Sequence, residues 1–286
     1  MIVDAHHHLW DPVARRHAWL DDLPQIRGPF TLAGYQAAAA AEGVTASVLV
    51  QVLHSAGETA EFLAVAAGRA EGKPPLIAGV VGWADLTRAD LGDELARLRG
   101  LPGGDRLVGL RHLAQDEPDP DWLERPGVKR GLRAVGAAGL AFDLLVRPAQ
   151  LPAALRTAAE LADVRFVLDH GGKPEIAAAR IEPWAGLVGA LAGLPNVACK
   201  LSGLVTEAGA GWRAADFLPY VDRLLDSFGP GRLMFGSDWP VCLLAASYHE
   251  VVALARDTLG GRLSPGERDD VFGANAAGVY GLSAAS

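Results

Sequence analysis

Short apolar runs alternate with amphipathic stretches along almost the whole chain. Each run ends in polar or glycine-containing residues, the pattern of a buried strand that leads into a loop, and a helix-like stretch follows. In LPAALRTAAELA, for example, Leu151, Leu155 and Leu161 lie near one helical face. The runs that predict strands are residues 2–10, 46–53, 76–86, 107–115, 140–147, 165–173, 196–204 and 232–241.

Eight β/α alternations in 286 residues predict the α/β class and a (β/α)8 TIM barrel, because parallel strands need crossover helices and this fold takes about 250 residues. We expect a single domain over residues 1–286. An open doubly wound sheet is the alternative, but no Gly-rich fingerprint follows the first run, and HGGKP lacks the P-loop pattern. Residues 11–30 show no periodicity, so we expect them to form a loop over the barrel mouth.

The charge pattern narrows the class of partner. The formal net charge is −8 and the basic residues are scattered, so neither nucleic acid nor an anionic membrane is an expected partner. Two cysteines, Cys199 and Cys242, are too few for a disulfide framework. The first residues have the pattern of a strand and not of a signal segment, and the apolar stretches are too short to span a bilayer. We therefore expect a cytoplasmic protein, a monomer or homodimer, that acts on a small molecule.

Three consecutive histidines lie in the first run. If residues 2–10 form a strand, Asp4, His6 and His8 share one face, whereas Ala5 and His7 share the other. An H-x-H pair on a strand directs two imidazoles the same way and can chelate one divalent ion. His6 and His8 are thus the candidate ligands and His7 is not; the alternative is that they only form hydrogen bonds in a polar barrel mouth.

The eighth run, RLMFGSDWPVC, places Asp238 at the carboxyl end of a barrel strand, where this fold carries its chemistry. A carboxylate there can contact a metal and take a proton from water. The alternative is that Asp238 caps the next helix.

These segments carry a resemblance. His6-x-His8, LDHGGKP, CKLSGLVTEA and FGSDWP, in this order, resemble the lactonase branch of the amidohydrolase superfamily, which contains L-fuconolactonases and 2-pyrone-4,6-dicarboxylate lactonase. The resemblance covers nearly the whole chain and implies a barrel that hydrolyses lactones at its C-terminal face. It makes His6 and His8 the strand-one pair, His170 the strand-six histidine and Asp238 the general base. Strand alternation would point His170 inward with Phe166 and Leu168, and Asp169 away.

Metal use stays open. Binuclear members of the superfamily bridge their metals with a carboxylated lysine or a glutamate, in many of them at strand four, where this chain has Arg111 and His112. We therefore expect no binuclear centre. Three or four of His6, His8, His170 and Asp238 suffice for one Zn²⁺ or Mn²⁺ with an open position for water. The lactonase branch also includes enzymes that work without a metal, so metal-independent catalysis remains an alternative.

Residues near the other strand ends are candidates for substrate binding. Arg111 and Arg147 can hold an anionic group or a developing oxyanion, and lysines can polarise a carbonyl or bind a hydroxyl. Alternatively, the lysines are solvated, Arg147 lies on the surface, and the tryptophans only pack at the rim. The predicted substrate-binding set is Trp10, Gln51, Trp83, Arg147, Lys173, Lys200 and Trp239, and the catalytic set is Asp238, His170 and Arg111.

The predicted reaction is hydrolysis. Asp238 would deprotonate water, which attacks the lactone carbonyl while Arg111, His170 or a metal stabilises the oxyanion, and no G-x-S-x-G nucleophile elbow is present. The tryptophans, and the LVTE segment after Ser202-Gly203 with acidic Glu207 and no arginine, favour a neutral polyol lactone. The resemblance to L-fuconolactonases implies an aldonolactone derived from L-fucose, L-rhamnose or a related sugar. The alternatives are a metal-dependent decarboxylase of an unsaturated or aromatic acid, a lactonase for a dicarboxylate pyrone, and a non-catalytic binding barrel.

Overall fold

Eight parallel strands pair in chain order in the computed structural model, which describes residues 2–68 and 76–282. Between the first and last strands, the Asp238 N–H donates to the carbonyl of His6 at 2.8 Å, and the His8 N–H donates to that of Trp239 at 2.7 Å. These bonds close the sheet into the predicted (β/α)8 barrel. The strands are β1 (Ile2–His7), β2 (Val44–Val50), β3 (Ile77–Gly82), β4 (Leu107–His112), β5 (Ala141–Leu144), β6 (Arg165–Leu168), β7 (Val197–Leu201) and β8 (Leu233–Phe235).

Helices alternate with these strands, and several begin at a recognisable cap. The Ser55 hydroxyl accepts the N–H of Glu58, and Ser247 and Glu250 form a capping box, so that orphan N–H groups of the first turn are satisfied. The helices are α1 (Leu32–Ala41), α2 (Ala56–Ala67), α3 (Leu91–Arg99), α4 (Pro126–Ala137), α5 (Leu151–Glu160), α6 (Trp184–Ala192), α7 (Leu204–Ala208), α8 (Ala214–Phe228), α9 (Tyr248–Gly260), α10 (Pro265–Asp269) and α11 (Asn275–Tyr280). In the described ranges, no helix has the length and apolar character needed to cross a membrane.

Two apolar layers hold the barrel together. Small side chains such as Ala5, Ala141 and Ala198 lie in an inner cluster, whereas large ones such as Phe142 and Phe166 lie in the outer cluster between strands and helices. Small residues suit the inner cluster because an eight-stranded barrel has room only for its own side chains. The two clusters tell which face of each strand points inward.

The face predicted for the first strand is wrong at two residues, Asp4 and Ala5. Asp4 pairs with Ser47 but His7 pairs with Leu49, so three steps on β1 match two steps on β2, which is a bulge. Asp4 accepts a hydrogen bond from the Tyr35 hydroxyl outside the barrel, and His7 stacks on the same ring. Asp4 therefore does not share a face with His6, nor Ala5 with His7, although His7 does point away from the site as predicted.

The connection after β1 crosses the barrel mouth, as predicted. Trp10 and Phe30 exchange backbone hydrogen bonds of 3.1 and 2.7 Å, which fix both ends of this loop. Between them lie two short 3-10 turns, Ala18–Asp22 and Pro24–Ile26, that the sequence pattern did not indicate. Trp19 from the first turn lines a cavity beneath the loop.

Candidate active site

A cavity of about 420 Å³ lies at the carboxyl ends of the strands, where a TIM barrel carries its chemistry. Of the predicted site residues, it brings together His8, Arg111, His170 and Asp238 with Trp10, Arg147 and Lys173. The remaining wall includes side chains that the sequence reasoning did not select, which are Trp19, Leu23, Val52, Leu113, Gln115, Asp116, Leu145, Thr206 and Val241.

The two strand-one imidazoles meet on the cavity floor. His8 Nδ1 lies 2.8 Å from the carbonyl of Val50, so Nδ1 carries the proton that it donates, whereas Nε2 faces the site. His8 Nε2 is 3.2 Å from His6 Nε2 and 3.4 Å from Asp238 Oδ1. Asp238 Oδ1 also lies 3.7 Å from His6 Nε2 and 3.9 Å from His170 Nε2. The four predicted ligands therefore converge.

These spacings fit one divalent ion. Ligand bonds of about 2.0–2.1 Å at tetrahedral angles place ligand atoms about 3.3 Å apart, close to the spacing of His6, His8 and Asp238. Two imidazole nitrogens and a carboxylate oxygen form a donor set that zinc and other divalent ions accept. The site therefore fits a single divalent metal, and the donor set alone does not select which one.

Asp238 is held in an unusual conformation. Its φ is +56°, in the left-handed region that aspartate and asparagine tolerate better than most residues. Its N–H donates to His6 and its carbonyl accepts the N–H of Cys242 at 2.9 Å, so strand β1 and the next turn fix it from both sides. That turn has Pro240 at its cap position, so Asp238 is not the helix cap considered as the alternative.

The carboxyl group of Asp238 is ionised. Burial opposes its ionisation, but the imidazoles of His170, His8 and His6 outweigh this and hold the pKa of Asp238 well below its usual range. Burial lowers the pKa of His170 to about 4. At neutral pH Asp238 is therefore a carboxylate, and His170 is a neutral imidazole able to bind a metal.

His170 reaches the cavity through a left-handed turn and not through strand alternation. His170 lines the cavity as predicted, but Phe166 and Leu168 lie in the outer cluster, so the prediction that His170 shares their face is wrong. Strand β6 ends at Leu168, and the residues from His170 to Lys173 have φ values of 55°, 60°, 74° and 52°. Two glycines permit this turn, which directs both end side chains into the cavity. The His170 Nδ1 lies 2.9 Å from the hydroxyl of Ser202, which orients the ring.

Asp169 is part of the site, contrary to the prediction that it points away. It continues the inward face of Val167 and is fully buried. Its Oδ2 accepts a hydrogen bond from Arg111 at 3.0 Å, and its Oδ1 lies 3.3 Å from His6 Nδ1. Asp169 therefore supports His6 from the side opposite the cavity, a common arrangement behind a metal-binding imidazole.

Lys200 lies beneath the cavity floor and not in its wall, so the predicted substrate contact is absent from this structure. It follows Ala198 on the inward face of β7 and is fully buried. Its ammonium is 2.6 Å from Asp143 Oδ2, 3.0 Å from Asp169 Oδ1 and 3.1 Å from His6 Nδ1. The Tyr280 hydroxyl donates to Asp143 from below at 2.8 Å. The charge is buried because carboxylates compensate it.

Three other predicted substrate contacts do not line the cavity. Gln51 is buried and its Nε2 donates to the carbonyl of Arg111 at 3.3 Å. The Trp83 indole donates to His112 Nδ1 at 3.2 Å, and Trp239 packs against Phe30. Gln51 supports Arg111, and the two tryptophans pack at the rim, as the alternative interpretation held.

Arg111 combines buried bonds with an unpartnered donor. One terminal nitrogen, NH1, lies 3.1 Å from His6 Nε2 and 3.0 Å from Asp169 Oδ2. The other, NH2, donates to the carbonyl of Gln51 at 2.6 Å. The buried Nε–H has no partner within residues 2–68 and 76–282, and Arg111 lines the cavity. Arg111 therefore brings a positive charge to the cavity wall, while its Nε–H stays buried without a partner.

Comparisons with known proteins agree with this geometry. The amidohydrolase family model matches residues 3–282. Two L-fucono-1,5-lactonases are similar to this chain. The enzyme of Burkholderia ambifaria is 38% identical, and the alignment covers 97% of this chain and 94% of the relative. The enzyme of Burkholderia multivorans is also 38% identical, and the alignment covers 98% of this chain and 96% of the relative. A crystal structure of a B. multivorans amidohydrolase with bound zinc superposes with a TM-score of 0.91 at 38% identity, covering 99% of this chain and all of that one.

The family match spans nearly the whole barrel, including the floor histidines and the strand-eight carboxylate. This chain therefore belongs to the amidohydrolase family.

Proposed function

We propose that this protein hydrolyses the ring ester of sugar lactones, with six-membered aldonolactones of the L-fucono-1,5-lactone type as the leading substrates. The observation that carries the proposal is the convergence of the Asp238 carboxylate, Arg111 and the His8 and His170 imidazoles in one cavity. The two similar L-fucono-1,5-lactonases support the substrate class.

In the proposed reaction, Asp238 accepts a proton from water as the water oxygen attacks the lactone carbonyl. Arg111, which lines the cavity, donates to the carbonyl oxygen as negative charge develops there. Protonated Asp238 then returns the proton to the departing ring oxygen, which leaves a hydroxy acid. A divalent ion held by His6, His8, His170 and Asp238 would, when bound, polarise the carbonyl and acidify the attacking water.

The cavity wall favours a neutral polyhydroxylated ring. Trp10 and Trp19 offer aromatic surface, and Asp116 offers an acceptor for hydroxyl groups. Lys173 lies 3.5 Å from Glu207, so its charge is partly compensated. The terminal nitrogens of Arg111 are engaged with protein groups.

Arg147 is thus the cation of the wall for which the described residues provide no ion-pair partner. A dicarboxylate favours several converging arginines, each with free donors. The wall therefore favours a sugar lactone over a dicarboxylate pyrone or an aromatic acid.

A pH-indicator assay tests the proposal. The protein, with and without added zinc or manganese, is offered L- and D-aldonolactones, 2-pyrone-4,6-dicarboxylate and aromatic carboxylic acids, with spontaneous hydrolysis subtracted and CO2 release recorded in parallel. We expect acid release from a few L-sugar lactones. Silence on every sugar lactone, or CO2 release from an aromatic acid, would refute the proposal.

A further inference from the structure

We propose that Arg111 and a divalent metal ion compete for the same lone pair, on Nε2 of His6, so that Arg111 keeps the metal affinity of this site low. The inference rests on the metal site proposed above, and it assigns Arg111 a second task besides donating to the substrate. The alternative task for such a neighbour is to support the metal ligand, and the two predict opposite effects of removing it.

The tautomer of His6 carries the argument. Asp169 Oδ1 is buried without a well-aligned donor, and His6 Nδ1 lies 3.3 Å away. A proton on Nδ1 gives that oxygen its donor and leaves Nε2 as an acceptor for Arg111 NH1 at 3.1 Å. The opposite tautomer would accept from Lys200 at Nδ1 and donate from Nε2 to His8, at 3.1 and 3.2 Å, but it would set two donors against each other between Nε2 and Arg111. A guanidinium can only donate, so its contact with Nε2 requires the first tautomer, in which the lone pair on Nε2 points at Arg111.

Lys200 does not change this assignment. Its ammonium lies 3.1 Å from His6 Nδ1, but two carboxylates, those of Asp143 and Asp169, lie 2.6 and 3.0 Å from the same nitrogen. An ammonium has three protons and no lone pair: two reach the carboxylates, and in the assigned tautomer the third faces Nδ1–H without an acceptor, a cost that the two ion pairs offset.

The Nε2 lone pair is the one that the metal needs. His6 Nε2, His8 Nε2 and Asp238 Oδ1 are the converging atoms of the candidate metal site. A metal bound to His6 Nε2 displaces the Arg111 hydrogen bond and also brings a divalent charge close to a guanidinium. Loss of a bond to a charged group and repulsion between cations act in the same direction, so both weaken metal binding.

The test is a zinc titration of metal-free protein against a chromophoric chelator. In Arg111→Met, Asp169 keeps Lys200 as its ion-pair partner, and we expect zinc to bind about 10- to 100-fold more tightly than in the wild type. If Arg111 instead supports the ligand, its removal should weaken binding about 10- to 100-fold. Unchanged or weaker zinc binding in Arg111→Met overturns the inference.

Two controls isolate the lone pair from the general charge of the cavity. Arg147→Met removes a positive charge from the same wall at an exposed position, and we expect it to change zinc affinity less than about fivefold. His8→Ala, alone and combined with Arg111→Met, should abolish tight binding if zinc occupies the floor site. An equal gain in Arg147→Met, or a gain that survives His8→Ala, also overturns the inference.

A second measurement does not depend on any variant folding. In wild-type protein labelled with ¹⁵N-histidine, we expect His6 and His8 to carry their protons on Nδ1 before zinc is added, and both Nε2 signals to shift on binding. A proton on Nε2 of His6 in the metal-free protein contradicts the inference. Lactone hydrolysis is measured separately: zinc affinities in the expected order without lactonase activity would refute the proposed function and leave this inference standing.

Discussion

Replacing Asp238 with asparagine tests the proposed base most directly. Asparagine has almost the same shape and tolerates the left-handed conformation in which Asp238 lies, at a φ of +56°. Its side-chain amide can still reach His8 Nε2, which lies 3.4 Å from Oδ1. The substitution removes the basic oxygen, and we expect the backbone around it to keep its place.

The expected loss is large. Removing a positioned general base costs about 10²- to 10⁴-fold in rate. Each factor of ten corresponds to about 1.4 kcal/mol, so the barrier should rise by about 3–5 kcal/mol. Stability at neutral pH should fall somewhat, because the imidazoles hold the pKa of Asp238 below its usual range and the native state therefore stabilises the carboxylate that is removed.

The assay is kcat/KM for the best lactone of the panel, measured with and without saturating zinc so that weakened metal binding is not mistaken for a lost base. Asp93→Asn is the matched control, since it makes the same chemical change at an exposed position of α3 outside the cavity lining. Turnover by Asp238→Asn within a few-fold of the wild type, or an equal loss in Asp93→Asn, would refute the assignment of Asp238 as the base.

Three further predictions separate structural from functional roles. His7→Ala should lower the free energy of unfolding by about 3 kcal/mol, because the ring is fully buried, but the variant should largely keep its activity. His8→Ala should instead lose zinc binding and activity, with little change in melting temperature. Burial raises the pKa of Glu58 from 4.5 to about 7, so the native state binds this proton more tightly than the unfolded chain does. The free energy of unfolding should therefore fall by about 3 kcal/mol as the pH rises from 4.5 to 7. Urea titrations should show a flatter pH dependence in Glu58→Gln. Gly203→Ala should cut kcat/KM by about 100-fold, because its new Cβ would lie 2.5 Å from His170 Nδ1, and an unaltered rate would contradict the geometry.

The barrel and its floor ligands could be predicted because they depend on order and spacing. Eight strand signals and four motifs in sequence led to His6, His8, His170 and Asp238, which the structure brings together. The orientation of single side chains could not be predicted in the same way. Strict alternation fails where β1 bulges and where the chain after Leu168 turns left-handed, because hydrogen-bond register and local φ decide the face there.

The buried charges beneath the floor had a sequence signal that was not used. Asp143 and Lys200 each follow, by two residues, an alanine of the inner cluster, Ala141 and Ala198, so alternation points both into the barrel. Charges in the middle of short apolar strands need partners, and a carboxylate on one strand with an ammonium on another supplies them.

This charge balance bears on the metal. Below the floor, the cations Lys200 and Arg111 offset the carboxylates Asp143 and Asp169 in direct contacts of 2.6–3.0 Å. No divalent ion is needed to neutralise that layer, so the barrel can hold His6 and Asp238 in place with the metal site empty or filled. The charge of Asp238, which lies above the layer and faces the cavity, then remains available for proton transfer. A folded barrel with an unchanged melting temperature after exhaustive chelation would follow from this arrangement, whereas unfolding on chelation would contradict it.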